Sequence, residues 1–130
     1  MKCWGYNAYG QLGDNSTTNS LTPVTVFGMT KGAKAVSASY FHTCAISSKG
    51  AAQCWGYNGT GQLGDNSTTN SLKPVGVYNL DKSTKLTVGS EHSCVVTAKK
   101  AVKCWGSNTV GQIGDNTTTT TLQPVKVFGY

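Results

Sequence analysis

The chain contains no arginine, and only five of its 130 residues are acidic. Without guanidinium groups it lacks the planar fork that grips phosphates and base edges, so nucleic acid is not an expected partner. General acid–base or nucleophilic catalysis needs unlike groups converging on one site. Five acids and two histidines, with no Gly-x-Ser-x-Gly run and no P-loop, make a poor inventory for that, and each candidate recurs with the repeat described below. The expectation is a protein that is not an enzyme and uses no cofactor. No apolar run is long enough to cross a bilayer, so membrane insertion is not expected. Met1-Lys2-Cys3-Trp4 starts inside a repeat and has no signal-peptide apolar core.

What is present is Gly, Thr, Ser, Asn and lysine. The net charge of +6 comes from eleven lysines spread along the sequence from Lys2 to Lys126. Scattered charge without arginine reads as a solvated cationic surface with some lysines on strand edges. Three evenly spaced tryptophans and recurring valine pairs argue for a packed β core rather than a disordered polar chain.

The tryptophans mark a repeat. Cys3-Trp4-Gly5-Tyr6-Asn7 returns as Cys54-Trp55-Gly56-Tyr57-Asn58 after 51 residues and as Cys104-Trp105-Gly106-Ser107-Asn108 after 50 more. Each copy is followed by a Gly-Gln-(Leu/Ile)-Gly-Asp-Asn run, at Gly10–Asn15, Gly61–Asn66 and Gly111–Asn116. A period near fifty belongs to propellers and related arrays. Within one unit the pattern reads as four short strands. They are Pro23-Val24-Thr25-Val26, then Val36-Ser37-Ala38, then Phe41 to Ile46, then Ala51 to Gly56. Val24 and Val26 share a face by period-two alternation, and proline opening a strand loses no ladder bond.

The expected fold class is therefore all-β, with propeller blades of four-stranded antiparallel sheets in an incomplete ring. Division on the Pro-Val strands puts a last strand and connection at 1–22 and a first complete blade at 23–73. A second complete blade follows at 74–123, and the first strand of a third at 124–130. A closed ring takes roughly four to eight blades. Incomplete terminal blades expose strand edges, so a homo-oligomer closing the ring with copies of itself is an expected partner state.

Cys44 and Cys54 lie symmetrically about a hairpin loop at Ser48-Lys49-Gly50, and Cys94 and Cys104 about Ala98-Lys99-Lys100. Residues opposed across antiparallel strands have Cα atoms at roughly 4.5–5.5 Å, a span a disulfide accepts. Two intra-blade disulfides follow, and with them an oxidising compartment, extracellular, cell-surface or periplasmic. Cys3 has no partner by this rule and is the unpaired cysteine. A metal reading of His42, Cys44 and Cys54, repeated at His92, Cys94 and Cys104, lacks a fourth ligand and the close spacing of structural zinc, so no metal is expected. Asp14, Asp65 and Asp115 suit Asx-turns in the connections better than calcium, which wants more carboxylate. Lys100 stands where the first hairpin has Gly50, a place for a left-handed residue.

With Pro-Val-x-Val, His-Thr-Cys-Ala, Cys-Trp-Gly-Tyr-Asn and Gly-Gln-Leu-Gly-Asp in series, the chain resembles the repeat of the regulator of chromosome condensation family. It is most similar to the cysteine-bearing variety of bacterial secreted and cell-surface proteins. The resemblance implies a seven-bladed propeller in full-length members. For different members it implies nucleotide exchange on a small GTPase, chromatin binding or protein inhibition, and a sister group includes propeller inhibitors of β-lactamase.

Residues common to all copies are explained by the fold, so specificity is expected where the copies differ. Those positions are Ala8 and Tyr9, Gly59 and Thr60, and Thr109 and Val110, with the loops Gly28–Lys34 and Asn79–Lys85. The expected function is a non-catalytic extracellular module that binds a protein or glycan partner.

Overall fold

The computed structural model describes residues 1–130 and contains ten strands and no helix. No helix is thus long and apolar enough to cross a membrane. The strands are β1 (Lys2–Gly5), β2 (Ser20–Thr25), β3 (Ala33–Ala38), β4 (His42–Ser47), β5 (Ala52–Gly56), β6 (Ser71–Gly76), β7 (Ser83–Val88), β8 (His92–Thr97), β9 (Val102–Gly106) and β10 (Thr121–Lys126). They form a two-stranded sheet, β1-β2, and two four-stranded antiparallel sheets, β3-β4-β5-β6 and β7-β8-β9-β10.

This grouping corrects the division made on the Pro-Val strands. Val75 pairs with Cys54, Val24 with Cys3 and Val125 with Cys104, so each Pro-Val strand closes the blade that precedes it. The connection after Gly56 folds back on itself and returns Ser71 to lie opposite Gly56. The complete blades are therefore 33–76 and 83–126, with half a blade at 2–25. Each Pro-Val strand also starts three residues before its proline, which sits where the ladder slips register, as between Cys54 and Gly56. At such a bulge the missing N–H forfeits no ladder bond.

In each full blade the central hairpin holds its register without a break. Cys44 faces Cys54 and Cys94 faces Cys104, with Cα separations of 4.0 and 4.1 Å, and both pairs are disulfides. Each closes a ten-residue loop, a stabilisation of about 3 kcal/mol in the chain-entropy account. In the hairpin turns Gly50 has φ 88° and Lys100 φ 66°, so lysine does take the left-handed position.

Blades join through their tryptophans. Trp105 is fully buried against Cys44, Cys54, Leu63 and Val95, so the indole of one blade lies on the disulfide of the blade before it. Trp55 is buried in the same manner against Val26, Met29 and Ala45, with Met1 and Cys3 at the edge. Each indole N–H donates to the carbonyl of a glutamine in the connection: Trp55 to Gln11 and Trp105 to Gln62, both at 2.9 Å. A hydroxyl on the neighbouring strand shares that acceptor, Thr43 on Gln11 at 2.9 Å and Ser93 on Gln62 at 2.8 Å. Gly13 and Gly64 let the connection pass the rings. A Cβ on Gly64 would lie 2.5 Å from Trp105 Nε1.

His42 is sealed into the second junction. Its Nε2 is 2.8 Å from Ser93 Oγ and its Nδ1 3.0 Å from Ser39 Oγ. Because the Ser93 hydroxyl donates to Gln62, it accepts from His42, which assigns the proton to Nε2. Burial, with a smaller contribution from His92, lowers the His42 pKa from 6.5 to about 4.

Two outcomes are expected. Gly64→Ala combines a steric clash with a left-handed φ of 70° and should cost about 3 kcal/mol by urea unfolding, whereas Gly28→Ala, with a similar φ and open space, should cost only about 1 kcal/mol. As pH falls from 6.5 towards 4, the unfolded chain binds a proton that folded His42 refuses. Stability should be full above pH 6.5 and fall by roughly 3 kcal/mol through that window, and His42→Gln should flatten the profile.

Candidate functional site

The connection between β5 and β6 is built on one buried amide. Asn58 Nδ2 donates to Asp65 Oδ1 at 3.1 Å and to the carbonyls of Ser67 and Thr69 at 3.1 Å each, while its Oδ1 accepts from Leu63 N–H at 2.9 Å. Asn7 and Asn108 do the same in the other copies. Asp65 Oδ1 also accepts from the backbone N–H of Ser67 at 3.1 Å and its hydroxyl at 2.8 Å. These carboxylates are turned into their own loop, and Thr117 holds the carboxyl of Asp115 below its usual range. The buried asparagines escaped the sequence reading. Their signal was present: an asparagine four residues after each repeat cysteine.

The sulfurs of Cys44, Cys54, Cys94 and Cys104 are consumed in disulfides, which leaves His42 and His92 without thiolate neighbours. Cys3 is a free, half-buried thiol, and burial pushes its pKa up, keeping it protonated.

The positions at which the copies differ fall at two opposite ends of the sheets. One end carries the turns leaving β1, β5 and β9 and those entering β4 and β8. Here Ala8, Gly59, Thr109 and Val110 are exposed, and Thr60 turns back to Gln62 Oε1 at 2.9 Å. Tyr9 belongs to something larger. It lies 5.2 Å from Tyr57, 5.8 Å from Phe41 and 6.4 Å from Tyr6, all edge-on. Tyr40 stacks on Tyr6 at 5.5 Å and meets Phe41 edge-on at 4.9 Å. The five rings form one continuous cluster across the first blade junction, and Tyr40 is 67% exposed. Four of the five were not among the sequence candidates. Variation between copies would have found Tyr40 and Phe41, because the next blade has Ser90 and Glu91 there.

The loops 28–34 and 79–85 lie at the other end, leading into β3 and β7, whose first residues pair with Ser47 and Thr97 beside the hairpin turns. The loops expected to share a binding surface with residues 8–9 are therefore on the far side of the molecule.

No convergent set of nucleophile, base and oxyanion donors appears at either end, and the structure holds no group of three or more metal-ligating side chains. What the aromatic end offers chemically is a neutral, partly exposed ring surface with phenol hydroxyls. Such surfaces supply large contact area at low side-chain entropy.

Comparison with known proteins agrees with this architecture. Two family models described as "Regulator of chromosome condensation (RCC1) repeat" match, one over residues 3–46 and 49–96, the other over 33–62 and 84–112. The human E3 ubiquitin-protein ligase HERC2 is 34% identical over 91 residues, 67% of this chain and 2% of that protein. The Arabidopsis thaliana ultraviolet-B receptor UVR8 is 32% identical over 72 residues, 55% of this chain and 16% of that protein. The chain thus spans a small part of the relatives' length. Among solved structures, Prp20p of Saccharomyces cerevisiae superposes with a TM-score of 0.83 at 19% identity, over 97% of this chain and 33% of Prp20p. Human WBSCR16 superposes with a TM-score of 0.84 at 20% identity, over 98% of this chain and 33% of that one. Repeat motif, blade topology and family models converge: this chain belongs to the regulator of chromosome condensation repeat family of β-propeller proteins.

Proposed function

We propose that this chain is a non-catalytic, extracellular protein-binding module whose contact surface is the ring cluster of Tyr6, Tyr9, Tyr40, Phe41 and Tyr57. The observation that carries this reading is where the rings stand. The next junction is built with Thr60, Ser90, Glu91 and Ser107 in the places of Tyr9, Tyr40, Phe41 and Tyr57, so the propeller does not need aromatics there. Tyrosines presented on rigid strand ends are the side chains that dominate protein interfaces. The two disulfides favour an oxidising compartment. Protein binding is in keeping with the solved relatives: Prp20p is described with binding to Gsp1p and histones, and with Kap60 bound.

Proteins captured from the surrounding medium with a photo-cross-linker at Ala8 would be identified and titrated individually. Tyr40→Ala should weaken the genuine partner about tenfold or more, through loss of a hot-spot ring, with the melting temperature little changed. Unchanged affinity for every captured protein would sink the reading.

A second reading, self-association, rests on a separate observation. Trp4 is 63% exposed and Leu21 fully exposed, whereas Trp55 and Trp105 are buried. At the opposite face Gly111 has open space, where Gly61 receives Leu122, and Gly114 meets no indole, where Gly64 receives Trp105. The two faces are complementary, so a second copy fits end to end; within a longer chain an adjoining blade would fit the same way. Sedimentation of the 130-residue chain should show concentration-dependent association, shifted about tenfold or more towards monomer by Trp4→Ala. A monomer at all concentrations would refute it.

A further inference from the structure

The lysines that are scattered in the sequence are gathered by the fold. Ten of the eleven lie at the end of the sheets that carries the hairpin turns, within two residues of a strand terminus there; Lys73 is in the middle of β6. Of the five acids only Asp81 is at this end, and it is paired with Lys99 at 3.5 Å. Glu91 stands in the turn entering β8 at the opposite end, and Asp14, Asp65 and Asp115 in the connections, whose glycines accept from Phe27, Tyr78 and Phe128. The strand ends and loops on the hairpin side thus carry ten lysines and one acid, Asp81.

At the centre of the basic end is an open concavity of about 500 Å³ between the two full blades. Lys34, Lys49 and Lys82 line it together with the hydroxyls of Ser48 and Thr84. Its walls are held by backbone contacts: Ser83 N–H donates across the junction to the Gly50 carbonyl at 2.8 Å, and within the second full blade Ala98 N–H donates to that of Lys82 at 2.6 Å. None of the three lysines has a carboxylate partner. The fold does not require them as a set, because Thr84, Lys99 and Gly32 stand at the corresponding repeat positions.

We propose that this concavity binds a linear acidic polysaccharide, with Lys34, Lys49 and Lys82 neutralising its carboxylates and the hydroxyls of Ser48 and Thr84 meeting sugar hydroxyls. Three features select this ligand class. Lysine is depleted from packed protein interfaces, and no aromatic or large apolar side chain lines the concavity to anchor a protein. Nucleic acid is recognised by arginine forks and by rings interleaved with the charges, whereas here arginine is absent and the ring cluster is at the opposite end. An anionic bilayer needs apolar side chains at the same surface to enter the acyl boundary, and a lysine-lined hollow offers none. A solvated, flexible polyanion matches point charges on flexible stems. The proposal shares with the protein-binding reading only the extracellular compartment.

The test is titration of the whole chain with polygalacturonate oligomers, neutral dextran, a DNA duplex and phosphatidylglycerol vesicles. Polygalacturonate should bind, dextran should not, and affinity should fall steeply as salt rises from about 0.05 to 0.3 M, where the screening length shortens. The combined Lys34→Gln, Lys49→Gln and Lys82→Gln variant should lose tenfold or more of the affinity, roughly what losing three close charges predicts. Lys73→Gln and Tyr40→Ala should leave it unchanged, which separates failure here from failure of the aromatic surface. All these side chains are exposed, so an unchanged melting temperature is expected and checks the fold. Absence of polygalacturonate binding overturns the proposal, as does full binding by the triple variant. Tighter lysine-dependent binding of the duplex or the vesicles would reassign the site to that partner and overturn it equally.

Discussion

Each blade of this molecule is fixed to the next by an indole laid on the previous blade's face, with its N–H held by a glutamine carbonyl. That carbonyl, Gln11 or Gln62, accepts two donors from the following blade, the tryptophan and a strand hydroxyl. The acceptor can be offered because the connection is turned inward by Gly-Gln-Leu-Gly, where Asn7 or Asn58 accepts from the Leu12 or Leu63 N–H. A backbone loop buried between sheets would otherwise carry unpaired donors and acceptors at a cost of about 1–3 kcal/mol each. Packing, hydrogen bonding and turn chemistry are therefore one device, which the Cys-Trp-Gly run, the Gly-Gln-(Leu/Ile)-Gly connection and the hydroxyl of Thr43 or Ser93 build together.

The disulfides work within this device. Each links the two central strands of a blade, and the Cys44–Cys54 bridge is also the surface on which Trp105 rests. Small sheets with limited core benefit from such a link, which restricts the unfolded chain while supplying a dry, polarisable face to the next blade. His42 closes the same junction and remains neutral there, so acid loosens the interface at a defined place.

With the interior assigned to the repeat, the two ends are free to differ. Rings collect at one end and lysines at the other, and neither set follows the repeat strictly. The separation suits two kinds of contact, one dry and aromatic, one solvated and ionic. Ala8, Gly59, Thr109 and Val110 stand at the aromatic end with little partner structure of their own, while Tyr9 is the candidate drawn into the ring cluster. Positions that vary between copies fall at both ends of the sheets. Variation said nothing of which of them meet, because Tyr6 and Tyr40 come together only when consecutive blades pack.

The amino-acid sequence alone determined the class of architecture and the cysteine pairing, since a fifty-residue period and symmetry about a hairpin are local properties of the chain. Assignment of the Pro-Val strand to the blade before it required the folded connection, because a strand's partner across fourteen intervening residues is chosen by how that loop turns, which Asn58 controls from inside. The gathering of the lysines was likewise decided only in three dimensions. Successive strands run in opposite directions, so lysines near the beginning of one strand and the end of the next are far apart in sequence and adjacent at one face.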